Sequence, residues 1–220
     1  MLNISDKSIS DLKLGDLQVQ AVYLGGGLVW PVRKTEYHTL TYQDTMGGIT
    51  IVNRAEYCDS IVDPYGTELC TGVSGIIRWT RREDLQLPKY EFQFKFKPDL
   101  TDLSECFRRI TYLKTIPQDL FVGLEDVTNF SRCFDNCSYL EEIPYYLFNP
   151  CKKVTNFHMC FANCDKLTSG TPGDEQGIRL WERAGKPGYP AEIDGKACFY
   201  NCVNMSDYDL IPRQWTAYSV

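Results

Sequence analysis

Cysteine is the residue in this chain with the most chemistry to offer, and there are ten of them. A thiol can serve as a nucleophile, a metal ligand or half of a disulfide. Eight lie between Cys106 and Cys202, and six of these form the Cys-x3-Cys pairs Cys133/Cys137, Cys160/Cys164 and Cys198/Cys202. Zinc knuckles use Cys-x2-Cys, so no metal site is expected. His158 stands two residues before Cys160, a placement that could pair an imidazole with a thiol nucleophile. The only other histidine is His38. No Gly-x-Ser-x-Gly, phosphate loop or His-Glu-x-x-His occurs. Gly25-Gly26-Gly27 precedes a strand-like run without Lys-Ser or Lys-Thr, which marks a turn rather than a phosphate cradle. A cysteine hydrolase using Cys160 and His158 is thus the one catalytic reading, and it ranks behind two non-catalytic ones.

The reason lies in a period of 27 residues that the cysteines share with everything around them. Cys106-Phe107 returns as Cys133-Phe134 and Cys160-Phe161, Ile116-Pro117 as Ile143-Pro144, and Val127-Thr128-Asn129-Phe130 as Val154-Thr155-Asn156-Phe157. A fixed period of this size marks a repeat array, where each unit buries its apolar face against its neighbours. Within each unit the apolar residues come every third position, as in Phe107, Ile110, Leu113, Ile116. That spacing fits neither a long helix nor a plain strand. It suits single helical turns joined to short extended pieces, each turning once around a common core.

Aligned positions then sort the side chains. Ile110 replaces the second cysteine in the first unit, and Leu124 aligns with Cys151. A site that accepts Ile or Leu is a core site, and free cysteine behaves there as a small hydrophobe. Buried, reduced thiols are therefore expected in the array. Cys58 and Cys70 stand outside the repeat, and a disulfide between them stays open. His158 aligns with Ser131, a variable and outward position, which favours a solvated histidine. Asn136, Asn163 and Asn201 recur, as do Thr128-Asn129 and Thr155-Asn156. They read as a ladder satisfying backbone groups at the corners rather than as a binding strip.

Variable positions are better binding candidates. Tyr112, Tyr139 and Lys166 share one repeat position, while Tyr145 and Tyr146 align with Gln118 and Asp119. Tyrosine offers a flat apolar face and a hydroxyl at low entropic cost, which suits protein or glycan ligands. The competing reading is that these rings merely cover core edges. Lys114 and Glu141, Glu125 and Lys152, and Asp126 and Lys153 are each 27 apart and opposite in sign. If units stack, each pair can meet.

The remaining segments position this array. Residues 1–33 read as a hairpin leader in which Val19, Ala21 and Tyr23 alternate before the glycines and Leu28-Val29-Trp30 follows. Residues 34–98 read as a small β-rich module, with strands at 48–52, 75–79 and 90–96 and a turn at Asp63-Pro64-Tyr65-Gly66. In the last strand Tyr90, Phe92, Phe94 and Phe96 share one face. Residues 99–220 form the array, interrupted by an insertion at 168–197 and closed by a capping repeat at 198–220. Gly177-Ile-Arg-Leu-Trp-Glu-Arg-Ala-Gly185 within the insertion predicts a two-turn helix. The net charge is −6, with 23 basic against 29 acidic residues and no basic tract, so nucleic acid is a poor partner. No apolar run is long enough for a membrane span. No secretory signal is read at the start.

The pattern Cys-Phe-x-Asn-Cys-x-x-Leu-x-x-Ile-Pro-x-x-Leu-Phe, over about residues 99–220, resembles the BspA-like leucine-rich repeats of bacterial surface proteins. It is similar in particular to a repeat family of gut bacteria and their phages. The segment Val22-Tyr-Leu-Gly-Gly-Gly-Leu-Val-Trp30 resembles a stretch of phage tail-associated proteins. The resemblance implies adhesion or surface recognition without a known reaction or cofactor, at a cell surface or on a virion. The expected fold is α+β, a β-rich N-terminal module followed by a short leucine-rich-repeat solenoid with 27-residue coils. The expected function is a non-enzymatic module presenting Tyr112, Tyr139, Tyr145, Tyr146 and Lys166 to a protein or glycan. The alternative is a structural or receptor-binding component of a phage tail.

Overall fold

Strand formation follows the β-branched and aromatic runs of the N-terminal half. The computed structural model describes residues 13–14, 17–18, 22–24, 27–30, 37–43, 48–82, 87 and 89–218. The chain divides into two compact units, Met1–Lys34 and Thr35–Val220. In the first, β1 (Lys13–Leu14) pairs antiparallel with β2 (Leu17–Gln18), and β3 (Val22–Leu24) with β4 (Gly27–Trp30). The glycine hairpin expected here is therefore present as paired strands. Val19, Ala21, its glycine tip at 25–26 and the Trp30 side chain lie outside the described residues.

The second unit opens with β5 (His38–Gln43), β6 (Ile49–Val52), β7 (Cys58–Val62), β8 (Ile77–Trp79) and β9 (Lys89–Phe96). A further strand, β10 (Leu113–Thr115), comes from the repeat region. One antiparallel sheet has the order β10-β5-β9-β7, and β6 pairs with β8 in another. The period-two pattern of β9 places Tyr90, Phe92, Phe94 and Phe96 in the core. Because β10 joins β5, and Phe94 and Phe96 pack on Phe107 at 5.9 and 6.3 Å, residues 34–98 and 99–220 share one hydrophobic core. No domain boundary falls at residue 98.

The edge of β7 is covered by residues 67–70 and held by Glu68. Its carboxylate accepts hydrogen bonds from Ser60 Oγ, Ile61 N and Cys70 N. Burial alone would raise its pKa, but these donors together bring it down to about 2. A depressed carboxylate pKa contributes stability above the unfolded value and loses it as pH falls through the folded one. Wild-type protein should therefore lose stability from about pH 4.5 down toward about 2. Glu68→Gln should flatten that part of a stability–pH profile measured by urea denaturation. An unchanged profile would mean that the bonds do not form.

The expected α+β leucine-rich-repeat solenoid is corrected by the structure. The fold is β-rich, made of small antiparallel sheets. Among the described residues α-helix is confined to α1 (Arg213–Thr216), with three one-turn 3-10 segments. A leucine-rich-repeat solenoid needs a run of parallel strands, one per unit. Here the repeat region shows only isolated parallel bridges, Asp102 to Asn129, Asn129 to Asn156 and Asn156 to Asp194. The cause is backbone bending. Glu105, Arg132, Met159 and Ala197 all have φ near +55°, and so, four residues later, do Arg109, Asn136, Asn163 and Asn201, near +60°. A strand cannot pass through two left-handed residues so close together. The predicted helix at 177–185 is likewise only the 3-10 turn Leu180–Glu182.

What the period does build is a stack of bent tiers. The spacing of three becomes a chain of tight turns in which each apolar amide bonds the apolar carbonyl three residues before. Cys106 N bonds Leu103 O, Ile110 N bonds Phe107 O, and Leu113 N bonds Ile110 O. Other amides reach the next tier, as from Phe107 to Cys133 O, Phe134 to Cys160 O and Phe161 to Cys198 O, each 2.8 Å. The rings follow the backbone. Phe107, Phe134, Phe161 and Phe199 stack at 5.3, 5.2 and 5.8 Å with interplanar angles of 6° or less.

Two further columns complete the tiers. The Oδ1 atoms of Asp102, Asn129, Asn156 and Asp194 each accept the amide two residues on, at 2.8–2.9 Å, so this column satisfies backbone donors at the corner. The second cysteines do the same for acceptors. Cys137, Cys164 and Cys202 donate S–H to Phe107, Phe134 and Phe161 carbonyls at 3.0, 3.1 and 2.9 Å. Of the predicted charge pairs, Lys114–Glu141 and Lys153–Asp126 form at 3.3 and 2.5 Å, whereas no ion pair joins Glu125 to Lys152. Arg108 and Asp135, also 27 apart, make a third at 3.2 Å.

Candidate functional site

The thiols come first because they could carry chemistry. All ten cysteines are free and buried. Cys160 is fully enclosed. Burial, followed by the Cys198 thiol and then Cys133 and Cys164, holds its pKa well above the ordinary thiol range. Burial pushes Cys202 up to about 12 and Cys70 up to about 11. A nucleophile needs the thiolate, and these sites disfavour it. Cys58 and Cys70 are both free, with the Cys70 thiol 3.9 Å from the Cys58 carbonyl. His158 is partly exposed, and its backbone, not its ring, carries its contacts with Asn156 and Arg132. Among the described residues no group of three or more His, Cys, Asp or Glu converges as metal ligands would. None of the described helices is long and apolar enough to cross a membrane.

The tyrosine candidates separate into two groups. Tyr112, Tyr139 and Lys166 occupy one position on successive tiers and touch in a row. The Tyr112 and Tyr139 rings are 5.5 Å apart, and Lys166 Nζ lies 3.6 Å from the Tyr139 ring centroid. Both rings are partly exposed and Lys166 is exposed. Tyr139 thus sits between a ring on the preceding tier and an ammonium on the following one. A tilted ring–ring contact and cation–π attraction hold the row. One tier on, past the insertion, the same position is Asn204, whose amide bonds Asp165 O at 2.7 Å. The outward row is therefore two phenols, an ammonium and an amide. Beside it runs the Lys114–Glu141 pair.

Tyr145 and Tyr146 stand apart from that row. Their rings meet edge to face at 5.0 Å. Tyr145 is clamped by the insertion: Gly173 N bonds its carbonyl at 2.9 Å, and the Arg179 guanidinium lies 5.6 Å from its ring. Arg179 in turn donates to Asp207 at 2.8 Å, where Thr171 also bonds through its amide and hydroxyl. Tyr145 thus serves the docking of the insertion as much as the surface, and Tyr146 packs on Tyr145.

The insertion also carries a group that the sequence reading missed. Arg183 is 1 % exposed. Its Nη1 donates to Phe148 O at 3.2 Å, and the Tyr189 ring centroid lies 5.0 Å from its Cζ. Tyr189 OH donates to Asp174 Oδ2 at 2.7 Å. Burial pulls the Arg183 pKa down, and the Tyr189 and Asp174 charges push it back up. The only sequence signal was the break in period. The predicted helix concealed the buried arginine, since a helical 177–185 would put Arg183 on a solvated face.

Compared with known proteins, the chain matches no family model, no curated protein and no solved structure.

Proposed function

We propose that the protein is a non-enzymatic recognition module whose ledge of Tyr112, Tyr139 and Lys166, continued by Asn204, contacts a protein or glycan. The observation that carries this reading is the contiguity of variable residues. Equivalent positions on three tiers differ in type yet form one partly exposed row at ring-contact spacing. The phenylalanine stack beneath is buried and evenly spaced, and supplies the regular spacing that a ligand would need. Donor-rich ends and an ammonium suit a partner bearing hydroxyls or carboxylates. The Cys-Phe-x-Asn-Cys motif, similar to that of BspA-like surface proteins, supports a surface role.

A glycan array, followed by titration of the best binder, tests it. Tyr112→Ala with Tyr139→Ala should weaken binding at least about tenfold, the scale of a lost hot spot, with little change in melting temperature. Undiminished binding by this variant, or no specific ligand on arrays of glycans and host-surface proteins, would remove the ledge from the account. The separate unit Met1–Lys34, with its two hairpins, favours a second reading. In it the unit docks the chain onto a phage tail and the ledge remains the ligand-binding surface. Deleting 1–34 would then abolish incorporation into particles but leave ligand binding intact.

A further inference from the structure

A buried guanidinium with its fork unused calls for a partner. Arg183 is enclosed, yet its Nε and Nη2 have no hydrogen-bond partner. Those two N–H groups point in parallel from one edge of the planar group, the edge that pairs with the two oxygens of a carboxylate. Only the opposite nitrogen, Nη1, is engaged, by Phe148 O. The residue next to that carbonyl supplies a second unsatisfied group: Asn149 Oδ1 is buried and unpartnered, while its Nδ2 bonds Glu175 at 3.3 Å. Asp174, which Tyr189 joins to this cluster, is committed elsewhere. Its Oδ1 accepts Gln176 N and Ile178 N, and its Oδ2 accepts Tyr189 OH.

Leaving such groups unmade in a buried site is costly, and far more so for a charged one. Each such group in a native structure calls for an explanation, and a bound partner is one of them. Tyr189, partly exposed, lies over the guanidinium and directly follows the exposed segment Lys186-Pro187-Gly188.

We propose that the Arg183 Nε/Nη2 edge is a binding site for a small carboxylate, which Tyr189 closes and to which Asn149 Oδ1 contributes an acceptor. The carboxylate oxygens take the two parallel donors, and Asn149 accepts a hydroxyl or other donor on the same molecule. A hydroxy acid or sugar acid carries both groups. The site lies in the insertion and does not depend on the tyrosine ledge.

The test uses the full chain labelled with ¹⁵N-arginine, in which a buried Nε–H gives a resolved resonance. Acetate and D-glucuronate should shift the Arg183 Nε resonance in a saturable way, while acetamide and D-glucose at equal concentration should not. Arg183→Lys keeps the charge but removes the fork, and should weaken the saturable response at least tenfold. Should that variant fail to fold, the wild-type titration with its neutral controls still decides. Tyr139→Ala should leave the response unchanged, which separates this site from the ledge. A response to acetate but not to glucuronate would keep the carboxylate site and limit its size. An Arg183 resonance unmoved by either carboxylate would overturn the proposal. So would crystals grown with glucuronate that show only water on the fork.

Discussion

Phe134→Ala is expected to destabilise the protein by about 3–5 kcal/mol, the range for removing a fully buried aromatic ring. Phe134 has no exposed surface. It lies between Phe107 at 5.3 Å and Phe161 at 5.2 Å, nearly parallel to both, with Phe121 at 6.3 Å. The neighbours on both sides cannot collapse into the gap, because their own tiers are spaced by backbone bonds such as Phe134 N to Cys160 O. The cavity therefore persists and adds to the lost transfer energy. Urea denaturation reads the difference directly. A loss below about 1 kcal/mol would match an ordinary surface change and would mean that the stack is not formed. Because Tyr139 follows five residues later on the same tier, a ligand of the ledge should also bind more weakly to the variant.

A second large effect is expected where the stack ends. Gly195 is buried beneath Trp215, and a Cβ there would overlap Cε2, Cζ2 and Cδ2 of the indole. Trp215 is 2 % exposed. It packs on Phe199 at 6.3 Å and on Phe157 at 6.4 Å, and its carbonyl accepts the Phe199 amide. Helix α1 thus lids the last tier. Gly195→Ala should cost about 1–3 kcal/mol by overpacking, and Trp215→Ala about 3–5 kcal/mol by exposing the tier. The two should not add. Once the indole is gone, the methyl group has room, so Gly195→Ala should be nearly neutral in the Trp215→Ala background. A double-mutant cycle measures this coupling. Additive losses would place Gly195 away from the indole.

Much of this was legible in the chain. The 27-residue period identifies which residues are equivalent. Equivalence shows that Ile110, Cys137 and Cys164 share a core site and that Tyr112, Tyr139 and Lys166 share a variable one. Period-two alternation in 90–96 told which face of β9 is buried. Opposite charges 27 apart anticipated Lys114–Glu141 and Asp126–Lys153, but not the absence of a Glu125–Lys152 ion pair, since two exposed side chains gain little by meeting.

The sequence by itself determined the repeat, its register and its buried rows, because burial depends on side-chain type and type recurs with the period. The spacing of three called for turns joined to extended pieces, but it did not determine where the backbone takes left-handed angles. These fall at Glu105, Arg109, Arg132 and Met159, residue types that do not announce them. Bonds between tiers, such as Arg132 N to His158 O, hold those angles in place. Nor could it reveal that Cys137 is a hydrogen-bond donor as well as a small hydrophobe, since the carbonyl it meets lies on the preceding tier. Arg183 is the extreme case. Its burial depends on Phe148, 35 residues away, and on an insertion that has no repeat to align it. Only the tertiary structure decides such a contact, because no local pattern encodes the partner.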